Sequence, residues 1–267
     1  MLIIFIINGF TALLLMTIQY CSDLHLEFQE NVDFLEENPL KPTGEVLLLA
    51  GDIVPFSQMK KHSAFFDFVS DNFKTIFWLP GNHEYYHFEL AEKCGALNEK
   101  IRPNIFLVNN CAIQHGDVRF IFSTLWSRIS PPKQIRLQRK MNDFRLIKYK
   151  GKRFTPSDYN KLHIESKAFL QCALQATGPS KTVVVTHHVP TFQNYPKEYL
   201  GDILNEAFAV ELADMIETSD VDYWIYGHHH QSTPEFRIGS TRLITNQLGY
   251  VSNDEHLAFR QDLVIEV

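Results

Sequence analysis

The chain has 267 residues, 45% hydrophobic and 13% aromatic, with 25 Lys and Arg against 31 Asp and Glu for a formal net charge of −6. That length can bury a full core, and a charged content of 21% alongside 21 phenylalanines excludes a disordered chain. The acidic balance argues against a surface built wholly to grip nucleic acid. Four cysteines (Cys21, Cys94, Cys111 and Cys172) with no C-x-x-C pair exclude a disulfide scaffold and a zinc ribbon, and suit a reducing cytoplasm.

In chain order, the first feature is an apolar stretch, residues 1–15, inside a run from Met1 to Ser22 that carries no charge. A spanning helix needs roughly 20 apolar residues, and the stretch reaches that length only by consuming Thr17–Ser22, which reads as a core strand. It lacks the basic start and the small-x-small cleavage site of a signal peptide. The favoured reading is an over-extended start with Met16 opening the domain; the rival is an uncleaved, membrane-anchoring segment. From residue 16 to 267 the chain reads as one domain. Short β-branched or aromatic runs at Thr17–Ser22, Val46–Ala50, Thr75–Leu79, Val118–Ser123, Lys181–Thr186 and Asp222–Tyr226 predict strands. Thr155-Pro156 with Asp158 predicts a helix start, and Phe208, Leu212, Met215 and Ile216 predict one helical face over Asn205–Glu217. Glu235–Val267 reads as several strands. Strands alternating with helices predict a layered α/β protein.

One segment breaks the composition. Ser127–Lys161 holds eleven Lys and Arg against two acids, Asp143 and Asp158, leaving the remainder with 14 basic and 29 acidic residues. It reads either as a solvated insertion or as a basic flap that draws an anionic substrate towards a nearby site.

Ligand-type residues stand where predicted strands stop: Ser22-Asp23-Leu24-His25, Gly51-Asp52, Gly81-Asn82-His83-Glu84, Thr186-His187-His188 and Gly227-His228-His229-His230. Ligands of open α/β sheets bind beyond the carboxyl ends of strands, so five such ends predict one converging site. Asp, Asn and imidazole without thiolate favour Mn, Fe or Zn. Seven candidate ligands exceed one tetrahedral ion and suit two divalent ions sharing a carboxylate, which clamp an in-line displacement and lower the pKa of a bound water to about 7.

Asp23-x-His25, Gly51-Asp52, Gly81-Asn82-His83-Glu84, the His187 motif and Gly227-His228-x-His230 resemble, in order, the five blocks of the calcineurin-like metallophosphoesterase superfamily. The resemblance implies a four-layer α/β/β/α sandwich with a dinuclear centre. It implies Asp23, His25 and His230 on one metal, Asn82, His187 and His228 on the other, Asp52 as the bridge, a metal-bound hydroxide as nucleophile and His83 as a catalytic imidazole that is not a ligand. His188 is expected to support a ligand from behind. An extended backbone points His228 and His230 one way and His229 the other, so His229 is expected at the surface or behind the ligands rather than as a ligand. His62, His87, His115, His163 and His256 read as surface residues.

Departures narrow the function. Asp52 is followed by Ile53-Val54-Pro55 rather than the Asp-Arg-Gly of Ser/Thr protein phosphatases, and no length remains for the capping domain of double-strand-break nucleases. Thr124-Leu-Trp-Ser127, Met141-Asn-Asp-Phe144 and Asn246-Gln-Leu-Gly-Tyr250 resemble a little-characterised bacterial branch in which Pro often replaces Gln247, a change expected to affect only a local turn. The expected activity is hydrolysis of a phosphomonoester or phosphodiester in a small molecule or nucleotide. A nuclease is the runner-up, and a fold retained as a non-catalytic binding module is the alternative class. No segment points to an obligate protein partner.

Overall fold

The computed structural model describes residues 15–176 and 181–267. The reading of residues 1–15 as a displaced start or an anchor therefore lies, Leu15 aside, outside the described residues. Among the described residues no helix is long and apolar enough to cross a membrane.

The strands in chain order are β1 (Thr17–Cys21), β2 (Val46–Ala50), β3 (Thr75–Leu79), β4 (Leu97–Arg102), β5 (Ile105–Asn109), β6 (Cys111–His115), β7 (Val118–Ser123), β8 (Lys148–Tyr149), β9 (Lys152–Arg153), β10 (Lys181–Thr186), β11 (Tyr223–Ile225), β12 (Phe236–Ile238), β13 (Thr241–Ile244) and β14 (Val264–Glu266). They form two six-stranded sheets, ordered β14-β1-β2-β3-β5-β4 and β12-β13-β11-β10-β7-β6, and a β8–β9 hairpin. In each large sheet the four inner strands run parallel and only the edge strands are antiparallel.

Alternation along the inner strands explains the layering. Ile18, Val46, Leu48, Phe77, Phe120, Phe122, Val183, Val185 and Ile225 turn into one apolar layer between the sheets. The intervening Cys21, Leu47, Leu49, Ile76 and Trp78 turn outward onto helices α1 (Gln29–Glu37) and α2 (Ser63–Asn72). Val184 and Trp224 turn outward on the other side. A strand buried on both faces is apolar throughout, which is why the predicted runs at β2, β3, β7 and β10 match the observed bounds. The result is the mixed α/β sandwich expected, with helices outside both sheets.

Segment 127–161 is not a solvated excursion. It contributes α3 (Gln134–Lys140), α4 (Asp143–Leu146) and the start of α5 (Pro156–Gln175), and its Ile129, Leu137, Met141, Phe144, Ile147 and Phe154 join the apolar cluster that contains Trp78 and Trp126. Its cations stay outside, and of the eleven only Lys133 and Lys161 are ion-paired among the described residues. As expected, α5 opens at Thr155, whose Oγ1 accepts from Asp158 N–H at 3.2 Å.

One reading needs correction and one needs detail. The single helix over Asn205–Glu217 is two short ones, α6 (Asn205–Phe208) and α7 (Ala213–Glu217). Ala209 between them is extended and pairs with Val189, which donates to Phe208 O and accepts the Val210 N–H. The C-terminal stretch holds three short strands, with 3-10 turns at Val251–Asn253 and Glu255–Ala258.

The layer between the sheets makes a stability prediction. Phe122 is fully buried against Phe77 and Phe120, so Phe122→Ala should cost about 3–5 kcal/mol. Urea unfolding should show a lowered midpoint with an unchanged slope.

Candidate metal centre

Because the inner strands of each sheet are parallel, their carboxyl ends share an edge, and the two edges meet. Asp23 and His25 follow β1, Asp52 follows β2, and Asn82 and His83 follow β3. His187 follows β10, and His228 and His230 follow β11. Contacts cross between the sheets: His187 Nδ1–H donates to Ala50 O at 3.0 Å, and His228 N–H points at both Asp23 carboxylate oxygens at 3.1 Å. Such approach leaves no room for side chains at the preceding residues. A Cβ on Gly51 would strike the His187 ring, one on Gly81 would strike Asp52 and His187, and one on Gly227 would lie 2.6 Å from Asp23 Oδ2. Asp23, His25, Asp52, His228 and His230 all hold positive φ, from 48° to 80°. A non-glycine residue so placed costs on the order of 1–3 kcal/mol and tends to mark a functional site.

These ends gather into two groups joined by one carboxylate: Asp23, His25, Asp52 and His230, and Asp52, His187 and His228. Asp52 Oδ1 accepts the His83 N–H at 2.8 Å. Its Oδ2 faces both groups, 3.9 Å from His25 Nε2 and 3.3 Å from His187 Nε2. Asn82 Oδ1 joins the second group, 3.2 Å from His187 Nε2.

Fixed neighbours assign the tautomers. His25 Nδ1–H donates to Glu27 Oε1 (3.2 Å) and His230 Nδ1–H to Glu255 Oε2 (2.8 Å), yet their Nε2 atoms face each other at 2.9 Å. His187 Nδ1–H is committed to Ala50 O and His228 Nε2–H to Ala207 O (3.3 Å), yet His187 Nε2 and His228 Nδ1 lie 3.1 Å apart. In both groups lone pairs point at lone pairs beside a buried carboxylate. That donor set fits a cation in each group.

The titration shifts report the same need for positive charge. Burial lowers His187, but Asp52 outweighs it and raises the imidazole to about 9, so without a cation a proton on Nε2 takes its place between the ring nitrogens. Burial and the neighbouring histidines push His228 well down. Asp52 is held well below the carboxylate range despite its burial, chiefly by His187. For His83, burial again opposes the rise, and Asp52 and Glu27 carry it to about 9. Glu27 is drawn down to about 2, against its burial, by His25 and His83. Burial keeps His25 low, so at neutral pH the charge that faces Glu27 sits on His83.

His83 itself stands apart from the two groups. Its Nδ1–H donates to Glu27 Oε1 at 2.7 Å, and its ring lies against Tyr86 with centroids 4.0 Å apart. It lines a cavity of about 390 Å³ together with Asp52, Asn82, Tyr86, Lys140, Tyr195, Tyr199, Phe208, His228, His230 and Tyr250.

Several residues support the centre from behind. Glu84, fully buried, accepts four N–H groups: Asp52 N (2.9 Å), Gly81 N (2.6 Å), Ile53 N (2.7 Å) and Trp78 Nε1 (3.1 Å). Burial and Asp52 raise it to about 8, but every partner is a donor, so the ionised form fits its bonds. It ties the β2 end to the β3 end. Gln247 does more than shape a turn of its own: its Oε1 accepts His230 N–H at 2.7 Å, and its Nε2 donates to Gln231 O and Thr245 Oγ1. Backbone 228–230 is not extended, since His228 and His230 have φ of 80° and 55°. His229 is buried against Gln247 rather than at the surface. His188 is buried behind His228, bonded to Thr124 O and Tyr159. His163 is no surface residue: it is buried, with Nδ1 donating to Trp126 O at 2.8 Å.

A calcineurin-like phosphoesterase family model matches residues 16–232. The uncharacterized protein L509 of Acanthamoeba polyphaga mimivirus is 34% identical over 259 residues, covering 87% of this chain and 91% of its own. The crystal structure of phosphopantetheinyl hydrolase from Mycobacterium tuberculosis shares the fold with a TM-score of 0.67 at 16% identity, over 94% of this chain and 95% of that one. A dimetal phosphatase from Danio rerio aligns with a TM-score of 0.46 at 13% identity, over 87% of each chain.

Glu84→Leu should leave several buried N–H groups without acceptors at about 1–3 kcal/mol each. Denaturant unfolding should show a loss of several kcal/mol, and Glu84→Gln, which keeps one oxygen, a smaller one.

Proposed function

The chain belongs to the calcineurin-like phosphoesterase family, and from that premise we propose a metal-dependent hydrolase whose substrate is a small phosphate ester or a nucleotide. The observation that carries this reading is the pair of lone-pair clusters sharing Asp52 Oδ2 beside a cavity walled by His83. Asp23, His25 and His230 would hold one divalent ion and Asn82, His187 and His228 the other, with Asp52 common to both groups. Nitrogen and oxygen donors without thiolate suit Mn, Fe or Zn. When bound, the pair supplies positive charge to the phosphate oxygens and lowers the pKa of a water nucleophile.

The chain's own residues do the rest. Glu27 fixes His83 Nδ1–H and leaves Nε2 as the atom offered to the phosphate or the leaving oxygen. Tyr86 backs the ring. A cavity of about 390 Å³ falls in the range of small-molecule sites, and Lys140 is the only Lys or Arg on its wall among the described residues. Four free thiols suit a cytoplasmic setting.

The exposed cations of segment 127–161 favour a second reading, a nuclease. Rates with p-nitrophenyl phosphate, bis-p-nitrophenyl phosphate, a cyclic nucleotide and short DNA separate the two. Reversing Arg139, Lys140 and Arg145 to Glu should raise KM with kcat nearly intact. A nucleic-acid substrate adds a steep log-linear loss of binding with salt, whereas a small ester shows a shallow slope.

Elemental analysis tests the centre. Asp52→Asn should weaken both sites, and wild-type protein that takes up no transition metal on reconstitution would falsify the reading. His83→Ala should keep the metal and lower turnover by roughly 10²–10⁴. The loss should be smaller with p-nitrophenolate, which needs less protonation as it leaves.

A further inference from the structure

We propose that Asp143, carried by the basic segment on α4, is a positioning residue for Asn82 and His83, which makes that segment a working part of the metal centre. The proposal rests on the reading above of Asn82 as a ligand and His83 as the catalytic imidazole.

Asp143 is one of two acids in segment 127–161, and it is 2% exposed. One of its oxygens, Oδ1, accepts from two donors of the Asn82–Tyr86 turn: Asn82 Nδ2 at 3.0 Å and the Tyr86 hydroxyl at 2.8 Å. An amide side chain has a donor end and an acceptor end, and which end faces a site is settled by its partners. With Nδ2 held by Asp143, Oδ1 is the end that faces His187 Nε2. Turned over, Asn82 would offer N–H groups to a cation. The Tyr86 bond acts on the neighbouring residue, because the ring it anchors lies 4.0 Å from the His83 ring at 31°. One carboxylate oxygen thus sets the amide of residue 82 and the packing surface of residue 83.

Asp143 is a poor choice on stability grounds alone. Its Oδ2 is buried without a hydrogen-bond partner among the described residues. An unsatisfied buried oxygen destabilises and calls for an explanation. Negative charge directed at the amide N–H of a metal-ligating asparagine supplies one.

The test uses the full chain loaded with two equivalents of Co²⁺ or Mn²⁺, with affinities read by chelator competition and, for Co²⁺, by visible absorption. Asp143→Leu should weaken one site about 10–100-fold, the usual effect of removing a ligand's supporting partner, and leave the other unchanged. Asp143→Asn keeps an acceptor oxygen and should restore near wild-type binding. Tyr86→Phe should keep both metals while lowering kcat for bis-p-nitrophenyl phosphate at little change in KM. If Asp143→Leu does not fold, Asp143→Ser, too short to reach Asn82, carries the same expectation. Two wild-type affinities in the Leu or Ser variant, or an Asn variant as impaired as they are, overturn the proposal and leave the dinuclear reading standing. A wild type that binds no metal removes both.

Discussion

Lone pairs aimed at lone pairs in a region without solvent repel, and nearly everything at this edge of the fold exists to hold them there. His25 and His230 meet through Nε2 atoms 2.9 Å apart, and His187 and His228 meet at 3.1 Å. Asp52 Oδ2 stands between the pairs. Such an arrangement relaxes unless positive charge enters or the backbone forbids the relaxation. The two sheets do forbid it. Parallel strands end abruptly at the same edge, positive-φ residues turn the chain back within one or two positions, and three glycines let opposing loops approach more closely than side chains would allow. The backbone strain is offset by strands buried on both faces.

Each inward-facing atom is aimed by something behind it. Glu27 and Glu255 take the far nitrogens of His25 and His230, carbonyls of Ala50 and Ala207 take those of His187 and His228, and Glu84 grips the backbone on both sides of the Asp52–Asn82 junction. Acceptors surrounding the candidate ligands concentrate negative charge at this end of the molecule. The chain's acidic excess outside residues 127–161 follows the same sign, and the cation-rich segment packs beside it.

What the sequence disclosed and what it hid follow from the range of each interaction. Most inner strands were legible because double burial writes an uninterrupted apolar run, although β5 was not among the predicted strands, and the candidate ligand positions stood out because each follows a strand end within one to five residues. Glu27 and Asp143 were not, since their partners His83 and Asn82 stand 56 and 61 positions away, and no local spacing announces such a pair. The false helix over Asn205–Glu217 shows the converse. Its apolar spacing was real but served two neighbours: Phe208 stacks on His228, while Leu212 and Ile216 enter the cluster outside the second sheet. Periodicity cannot tell one buried face from two. His163 misled for the same reason, its burial being decided by Trp126 on a distant strand end.

The order of strands in the first sheet bears on how the chain is made. β1 lies between β2, its near neighbour in sequence, and β14, whose Ile265 pairs with Ile18. While a ribosome is still extending the chain, the outer edge of β1 therefore waits until Val264–Glu266 have been made, and pairings so distant in sequence close slowly. An unpaired apolar strand edge is a template for aggregation. Nascent chains of this protein consequently carry an unpaired strand edge at the residues that lead directly into Asp23 and His25.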